Sequence, residues 1–292
     1  MAETRRWWLG AGAVAGLAVL AGCSSLDTLN GLNTITPGDG GTARVATDIA
    51  FGPDPRQQLD VYAPANARNA PVIIFFYGGS WANGRRQDYA FAARALAARG
   101  FVTVVPDYRL VPSVRYPAFV EDGASAVAWS IANIARYGGD PAKIGVSGHS
   151  AGAYIALMLT MDRRWLAKVG AAGAIKAAVG LAGPYDFYPF EPGGAAQAAF
   201  GGAADPHDTQ PITHARADAP PVLLLSGAAD TTVQPRNAQA LAAALTRLGA
   251  PAQVRVYPGI GHIGIILALS KPFRGKAPAL RDTADFFHQH LG

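Results

Sequence analysis

The chain contains 292 residues, of which 50% are hydrophobic, 15% are charged and one, Cys23, is a cysteine. This composition excludes a disordered chain and supplies enough apolar side chains for one large core. The formal net charge is +5, but the basic residues are scattered along the chain, so a nucleic-acid partner is not expected. A single cysteine excludes an internal disulfide and a metal site built from cysteines.

The first 22 residues have the pattern of an export signal. Arg5 and Arg6 precede a mostly apolar stretch, residues 7–20, which is followed by small residues. The charged start and the small-residue end are typical of a secretory signal, and the stretch is shorter than the roughly 20 residues that cross a membrane. The following residues, 23–42, are mainly polar, show no apolar period and predict a flexible tether.

The end of this signal, Leu20-Ala21-Gly22-Cys23, resembles the lipobox of bacterial lipoproteins. In that family the signal is removed before the cysteine, and the cysteine thiol receives a diacylglycerol. The resemblance implies a signal peptide over 1–22, lipidation of Cys23 and an exported protein held at the membrane of the bacterial cell envelope. Because Ser24 rather than aspartate follows the cysteine, it also implies the outer membrane. An uncleaved apolar anchor and an ordinary signal peptide are the alternatives.

Residues 43–292 alternate between predicted strands and helices. Two alternating segments, 44–51 and 58–63, suit a hairpin at a sheet edge, and the continuous apolar run 72–76 predicts a strand buried on both faces. Further strands are predicted at 101–105, 143–147, 177–182, 222–226 and 253–257, and helices at 89–99, 119–137, 151–161, 235–248 and 277–290. The alternation predicts an α/β fold with a mostly parallel eight-stranded sheet and helices on both faces. Residues 184–219 lack a clear period and predict an irregular insertion that could form a small cap.

A G-x-S-x-G pentapeptide, residues 148–152, lies between a predicted strand and a predicted helix. In that setting the serine sits on a sharp turn with its hydroxyl exposed, and small neighbours let the strand and the helix approach closely. Ser150 is therefore the candidate nucleophile. A glycine-rich turn without chemistry is the alternative interpretation.

A serine hydroxyl needs a base within hydrogen-bond reach and an acid that orients the base. Asp230 follows the buried strand 222–226, and His262 follows the strand 253–257, so both are placed after Ser150 in the order expected for this motif. Asp186 is the second candidate for the acid, whereas Asp107 is expected to be structural. The remaining histidines are expected to lie elsewhere: His149 points away from the serine, His207 and His214 belong to the insertion, and His288 and His290 face solvent.

The oxyanion of acyl transfer is stabilised by backbone N–H groups that point at the substrate oxygen. One donor is expected from Ala151, the residue after the candidate nucleophile. The others are expected from the loop after strand 72–76, which contains Gly78, Gly79 and Ser80. A second glycine pattern, at 259–264, does not predict a dinucleotide site, because no complete strand–helix–strand unit follows it.

Several segments together resemble the hormone-sensitive-lipase-like esterases and, more closely, the branch with carboxylesterases, bacterial feruloyl-type esterases, kynurenine formamidases and prenylcysteine methylesterases. The segments that carry the resemblance are 76–81, 107–110, 137–141, 148–152, 227–230 and 261–262. It implies an α/β-hydrolase catalytic domain over 43–292, in which Ser150, His262 and Asp230 are nucleophile, base and orienting acid. Gly79 and Ser80 match the family's oxyanion donors, and Gly78 forms the turn.

The chain departs from these families at two places. Tyr77 replaces a histidine that helps to shape the oxyanion loop, and a polar tether stands where lipase-like members carry a helical cap. The resulting expectation is an open site for a small-molecule ester with a short or aryl acyl group. Hydrolysis of an amide, such as an aryl formamide or a peptide, and a non-enzymatic hydrolase-fold lipoprotein are the alternatives. No cofactor or metal is expected, since no cluster of His, Asp and Glu has metal-ligand spacing. The oligomeric state is left open.

Overall fold

A computed structural model describes residues 39–292. The predicted signal peptide 1–22, the predicted lipidation site Cys23 and most of the predicted tether lie outside the described residues. The boundaries proposed for these segments therefore stay predictions.

Within the described residues, the chain forms one eight-stranded sheet. The strands are β1 (Thr42–Ala50), β2 (Gln58–Pro64), β3 (Ala70–Phe76), β4 (Val102–Pro106), β5 (Gly139–His149), β6 (Ile175–Leu181), β7 (Val222–Gly227) and β8 (Ala252–Tyr257). Their order across the sheet is β1-β2-β4-β3-β5-β6-β7-β8. The β1–β2 and β2–β4 pairs are antiparallel, and all other neighbours are parallel. The predicted edge hairpin and the predicted mostly parallel sheet are both confirmed.

The predicted helices are present, although their bounds differ and shorter helices accompany them. The α-helices are α1 (Ala90–Ala97), α2 (Ala118–Asn133), α3 (Ala151–Met161), α4 (Arg163–Lys168), α5 (Ala195–Phe200), α6 (Arg236–Arg247), α7 (His262–Leu267) and α8 (Ala279–Leu291). Among residues 39–292, four 3-10 segments lie at Arg86–Tyr89, Ile134–Tyr137, His207–Thr209 and Pro211–His214. The sequence did not predict α4, α5 and α7, because a helix of six residues spans less than two turns and shows no readable apolar period.

Burial explains why the central strands and α3 are apolar on all sides. Residues 72–76 of β3 have no exposed surface, as expected for a strand that is covered by helices on both faces. All residues of α3 are buried as well. Strand β5 begins earlier than predicted, because Gly139 pairs with Ala70 before the register shifts and Ile144 pairs with Val72.

The insertion 184–219 contains α5 and two of the 3-10 segments. Its aromatic side chains pack against Trp81, which follows β3. The Trp81 ring centroid lies 4.8 Å from that of Phe200 and 6.1 Å from that of Phe187. The insertion is therefore attached to the domain through an aromatic cluster beside the loop after β3.

The parallel part of the sheet determines where the candidate functional residues meet. Strands β3, β5, β7 and β8 run in the same direction, so their carboxyl ends lie at one edge of the sheet. The segments that follow these strands contain residues 77–81, Ser150, Asp230 and His262. One sheet edge thus collects residues that are far apart in the chain.

Candidate active site

Ser150 occupies a strained turn between β5 and α3. Its backbone has φ 55° and ψ −122°, a conformation that non-glycine residues adopt rarely and that marks functional sites. Glycines on both sides permit the turn: a side-chain carbon at position 152 would lie 2.1 Å from the Phe76 carbonyl oxygen, and one at position 148 would lie 2.4 Å from the Gly152 backbone. The sequence pattern G-x-S-x-G thus reflects a steric requirement of this turn.

The three predicted residues Ser150, Asp230 and His262 form one chain of hydrogen bonds. The Ser150 hydroxyl and His262 Nε2 are 2.9 Å apart, and His262 Nδ1 lies 2.8 Å from Asp230 Oδ2. Because a carboxylate only accepts, Nδ1–H donates to Asp230 and leaves Nε2 free to accept the serine proton. The arrangement can remove a proton from the Ser150 hydroxyl.

Local structure fixes the acid and the base. Asp230 follows β7 and is 3% exposed, and its Oδ1 accepts the backbone N–H groups of Thr232 and Val233 at 2.9 and 2.8 Å. These bonds hold Oδ1 in place, so that Oδ2 faces the imidazole of His262. His262 is the first residue of α7, a helix that the sequence did not predict.

The other candidates from the sequence lie outside this chain of hydrogen bonds. The backbone N–H of Asp186 donates to Asn237 Oδ1 at 3.0 Å, whereas the orienting carboxylate is that of Asp230. Asp107 forms a buried ion pair with Arg86, in line with the structural role expected for it, and burial raises its pKa. His288 is exposed, as predicted, while His290 is partly buried against Phe286. His207 and His214 belong to the insertion's 3-10 segments.

The loop Tyr77–Trp81, called the oxyanion loop from here on, lies directly beside Ser150. A side-chain carbon at Gly78 would come within 3.0 Å of Ser150 Cβ. Gly79 has φ 137° and Ser80 has φ 55°, and the Gly79 carbonyl accepts the N–H groups of Ala82 and Asn83 at 3.1 and 2.9 Å. A glycine at position 79 is needed because this φ is strained for other residues.

The donors proposed from the sequence divide into two groups. Ala151 is the first residue of α3, so its N–H has no acceptor within the helix. In the part of the chain that the structure describes, the N–H groups of Gly79 and Ser80 have no backbone acceptor either. Gly78 differs, since it packs closely against the neighbouring turn: a side-chain carbon there would lie 3.0 Å from His149 Nδ1 and from Ser150 Cβ. The geometry leaves Gly79, Ser80 and Ala151 available to an oxyanion and gives Gly78 a supporting role.

Tyr77, which stands in place of the family's histidine, is held by Arg56 and Tyr108, two distant residues whose contact with it no sequence pattern predicts. Arg56 Nη2 donates to the Tyr77 hydroxyl at 2.9 Å and to the Gly84 carbonyl at 2.9 Å. The Tyr108 hydroxyl donates to the Tyr77 carbonyl at 2.9 Å, and the two rings stack with centroids 4.6 Å apart. Tyr77, the first residue of the oxyanion loop, is therefore held in place although the family's histidine is absent.

His149, the residue before Ser150, points away from the serine and makes one buried and one partly buried hydrogen bond. Its Nδ1 lies 3.0 Å from the Tyr89 hydroxyl, and its Nε2 lies 3.0 Å from the His262 carbonyl oxygen. The burial of the imidazole, and secondly its proximity to His262, lower the pKa of His149 to about 3. His149 therefore stays neutral at physiological pH.

Stability should depend on pH through His149. Its pKa is lowered on folding, so the unfolded chain binds more protons between pH 6.5 and about pH 3. The stabilising contribution is fully present above pH 6.5 and falls as the pH decreases, by up to about 1.4 kcal/mol per pH unit. Urea unfolding of the wild type and of His149→Gln between pH 7 and pH 4.5 measures this effect. The wild type should lose more stability over this range, and equal slopes would contradict the buried neutral imidazole.

A cavity of about 340 Å³ opens beside the hydroxyl of Ser150. Its walls come from the oxyanion loop, the start of α3, the insertion and the segment after Asp230. The lining residues are Ser80, Trp81, Ser150, Ala151, Pro184, Phe187, Pro189, Glu191, Ala195, Ala196, Thr231, Thr232, Val233, Gln234, Arg236 and Asn237. Another cavity, of about 580 Å³, is lined by the end of α3, by α4, by the start of β6 and by residues before β6 and β7, at the opposite edge of the sheet from the candidate nucleophile.

No group of three or more His, Cys, Asp or Glu side chains within residues 39–292 is arranged to hold a metal ion. Over the same residues, no helix combines the length and the apolar character that crossing a membrane requires.

Solved esterase structures share this fold. A truncated carbohydrate esterase from gut microbiota superposes with a TM-score of 0.77 at 20% identity, covering 88% of this chain and 99% of that chain. Esterase B from Lactobacillus rhamnosis gives a TM-score of 0.79 at 18% identity, covering 90% of each chain. At these identities the likeness shows the fold, which is the predicted α/β-hydrolase fold.

Curated relatives are esterases by name. Esterase LipC of Mycobacterium tuberculosis is 32% identical over 243 residues, which are 73% of this chain and 58% of LipC. The isoprenylcysteine alpha-carbonyl methylesterase ICME of Arabidopsis thaliana is 28% identical over 261 residues, covering 82% of this chain and 61% of ICME. The chain thus spans about three fifths of the length of these two relatives. The BD-FAE family model matches residues 59–245, which include Ser150 and Asp230. Because this match covers more than half of the chain, the protein belongs to the BD-FAE family of α/β-hydrolases.

Proposed function

We propose that the protein is a serine carboxylesterase that hydrolyses short-chain or aryl carboxylic esters through an acyl-enzyme on Ser150. The observation that carries this proposal is the hydrogen-bonded chain from Asp230 through His262 to the Ser150 hydroxyl, beside a cavity that this serine lines. The relatives from Mycobacterium tuberculosis and Arabidopsis thaliana are both named as esterases, which supports the same reaction class.

The first half of the reaction forms the acyl-enzyme. Ser150 Oγ attacks the ester carbonyl carbon while its proton passes to His262 Nε2, and the carbonyl oxygen becomes an oxyanion. The N–H groups of Gly79, Ser80 and Ala151 are the donors for this oxygen. The carbon–oxygen bond to the alcohol then breaks, and the alcohol leaves with the proton from His262.

The second half releases the acid. A water molecule gives a proton to His262 Nε2 and attacks the acyl carbon, which forms a second oxyanion at the same donors. The bond to Ser150 Oγ breaks, and the serine recovers its proton from His262. Throughout, Asp230 stabilises the charged imidazole and keeps it in the required tautomer. The net reaction consumes one ester and one water and gives one acid and one alcohol.

The shape of the cavity supports a small acyl group. The volume of about 340 Å³ is near the lower end of ordinary ligand sites. Trp81 and Phe187 provide an apolar surface, whereas Thr231, Thr232 and Arg236 at its rim are exposed. A short or aryl acyl group fits against the aromatic surface, and the alcohol can extend toward solvent.

A fluorophosphonate probe tests the proposal directly, because it reacts only with an activated serine. Incubation should add one probe mass to the chain, and peptide mapping should locate it on Ser150. Purified enzyme should also hydrolyse p-nitrophenyl acetate, and acyl chains of increasing length should show falling kcat/KM. No labelling and no ester hydrolysis would refute the proposal. Faster cleavage of a matched aryl formamide than of the ester would favour an amide hydrolase with the same three residues.

We further propose that the protein is exported and anchored in the bacterial cell envelope by a lipid on Cys23, with the outer membrane as its place. The proposal is supported by the sequence Leu20-Ala21-Gly22-Cys23 after a basic and apolar leader. Mass spectrometry of the protein from the membrane fraction should find a chain that begins at Cys23 and carries acyl mass. Cys23→Ala should leave the leader uncleaved. A mature chain without acyl mass on Cys23 would contradict the anchor.

A further inference from the structure

Two buried side chains connect the two halves of the candidate active site. The backbone of Gly78, in the oxyanion loop, packs against His149, and a side-chain carbon at position 78 would lie 3.0 Å from His149 Nδ1. The Tyr89 hydroxyl lies 3.0 Å from the same nitrogen, and His149 Nε2 lies 3.0 Å from the carbonyl oxygen of His262. Tyr89 and His149 are each 1% exposed, so water does not compete for the bond between them. The four residues are called the Tyr89–His149 bridge below.

The chemistry of the bridge permits one arrangement of protons. The His262 carbonyl can only accept, so His149 Nε2 carries the hydrogen. In a neutral imidazole the other nitrogen is then an acceptor, and the Tyr89 O–H donates to it. The two hydrogen bonds thus run in one direction, from Tyr89 through His149 to the His262 carbonyl. Gly78 packs against the imidazole that both bonds hold.

Both ends of the bridge need support. His262 begins α7, which has six residues, and a helix of this length is not stable by itself. At the other end, Ser80 and Trp81 both have φ near +56°, with values of 55° and 57°, and such conformations persist only where the surroundings impose them. The contact between the rings of His149 and His262, with centroids 4.9 Å apart, adds packing at the same junction.

We propose that Tyr89 and His149 are positioning residues, which set the distance between the oxyanion donors and the imidazole of His262. This inference rests on the proposed esterase function, since it concerns the geometry of the same reaction. His149 touches the backbone of His262 rather than its ring nitrogens, so it acts through the position of the base. Sequence alone gives no sign of this role, because residues 60 and 113 positions apart make the two bonds.

The bridge should affect turnover more than binding. Tyr89→Phe keeps the ring but removes the hydroxyl, which leaves His149 Nδ1 unpaired. We expect kcat for p-nitrophenyl acetate to fall about 10- to 100-fold with KM changed less than about threefold, because small displacements at a reacting centre are that costly. His149→Leu should have a similar effect. His149→Gln should recover part of kcat, since an amide can donate to the His262 carbonyl and accept from Tyr89.

Three controls separate positioning from general damage. Rates are expressed per active site titrated with the fluorophosphonate probe, so unfolded protein does not count. Tyr154→Phe also removes a buried tyrosine hydroxyl, which donates to the Thr209 carbonyl at 2.8 Å outside the bridge, and its kcat should stay within about threefold of wild type. The double variant Tyr89→Phe/His149→Leu should lose no more than about the larger single loss, because both changes break one connected chain.

The outcomes distinguish this inference from the proposed function. If the wild-type protein shows no ester hydrolysis that depends on Ser150, both the proposed function and the proposed role of the bridge are contradicted. If the wild type is active, any of three results would overturn the bridge alone. These are an unchanged kcat in Tyr89→Phe, fully additive losses in the double variant, and no recovery of kcat in His149→Gln. Rises in KM at constant kcat would overturn it as well, since they would indicate a substrate contact.

Discussion

Replacing Ser150 with alanine is expected to lower kcat for p-nitrophenyl acetate by about a million-fold, as for other enzymes in which a serine of this kind is removed. The alanine has no oxygen to attack the carbonyl, and His262 Nε2 loses its partner at 2.9 Å. Residual catalysis would come from the oxyanion donors and from binding, which together still exceed the uncatalysed rate in water. Steady-state assays with highly purified protein measure the loss, and the fluorophosphonate probe should no longer label the chain.

The matched control is Ser147→Ala, three residues earlier on β5. The hydroxyl of Ser147 is buried and has no hydrogen-bond partner within the described residues, so its removal should leave kcat within about threefold of wild type. Both variants carry the same substitution in the same strand–turn–helix segment. Equal activity of Ser150→Ala and the wild type would show that hydrolysis does not use this serine.

Replacing Asp230 with asparagine is expected to lower kcat by about ten-thousand-fold while KM changes little, as for the equivalent change in other enzymes with this arrangement. The carboxylate accepts the His262 Nδ1–H at 2.8 Å. An amide nitrogen at that place would donate instead, which favours the tautomer with the proton on Nε2. That nitrogen could then no longer take the proton of Ser150. The backbone bonds from Thr232 and Val233 can still be accepted by the amide oxygen, so the fold should be preserved.

The comparison with Asp186→Asn decides which acid orients the base. The sequence left Asp186 as the second candidate, but in the structure the carboxylate bonded to His262 Nδ1 is that of Asp230. We expect Asp186→Asn to retain kcat within about threefold. A large loss in Asp186→Asn together with a small loss in Asp230→Asn would reverse the assignment. Measuring kcat at several pH values shows whether a variant has lost activity or has only changed the pH at which it is active.

Neither substitution should act through stability. Asp230 and Ser150 lie in turns at the sheet edge rather than in the core between sheet and helices. Far-ultraviolet circular dichroism and urea midpoints of both variants should therefore resemble those of the wild type. A collapse of the midpoint would indicate that the strained turn at Ser150, with φ 55°, depends on the side chain.

Residue patterns were sufficient for the order of strands and helices and for the chemistry of the central motif. The apolar run 72–76 predicted a strand buried on both faces, because only such a strand has no polar side. The pentapeptide 148–152 predicted a sharp turn with a serine, because close packing of β5 and α3 excludes side chains at Gly148 and Gly152. Chain order and the end of each strand were enough to select Asp230 and His262 as candidates.

Short-range patterns, by contrast, contain no information on contacts between distant segments. Arg56 and Tyr108 support Tyr77, and Tyr89 bonds His149, only when the sheet is assembled. The same holds for the packing of Gly78 against His149. The six-residue helix that begins at His262 was also missed, because tertiary contacts rather than an apolar period stabilise a helix of this length. The sequence by itself determined which groups could perform the chemistry, and the tertiary structure decided which groups hold them at working distances.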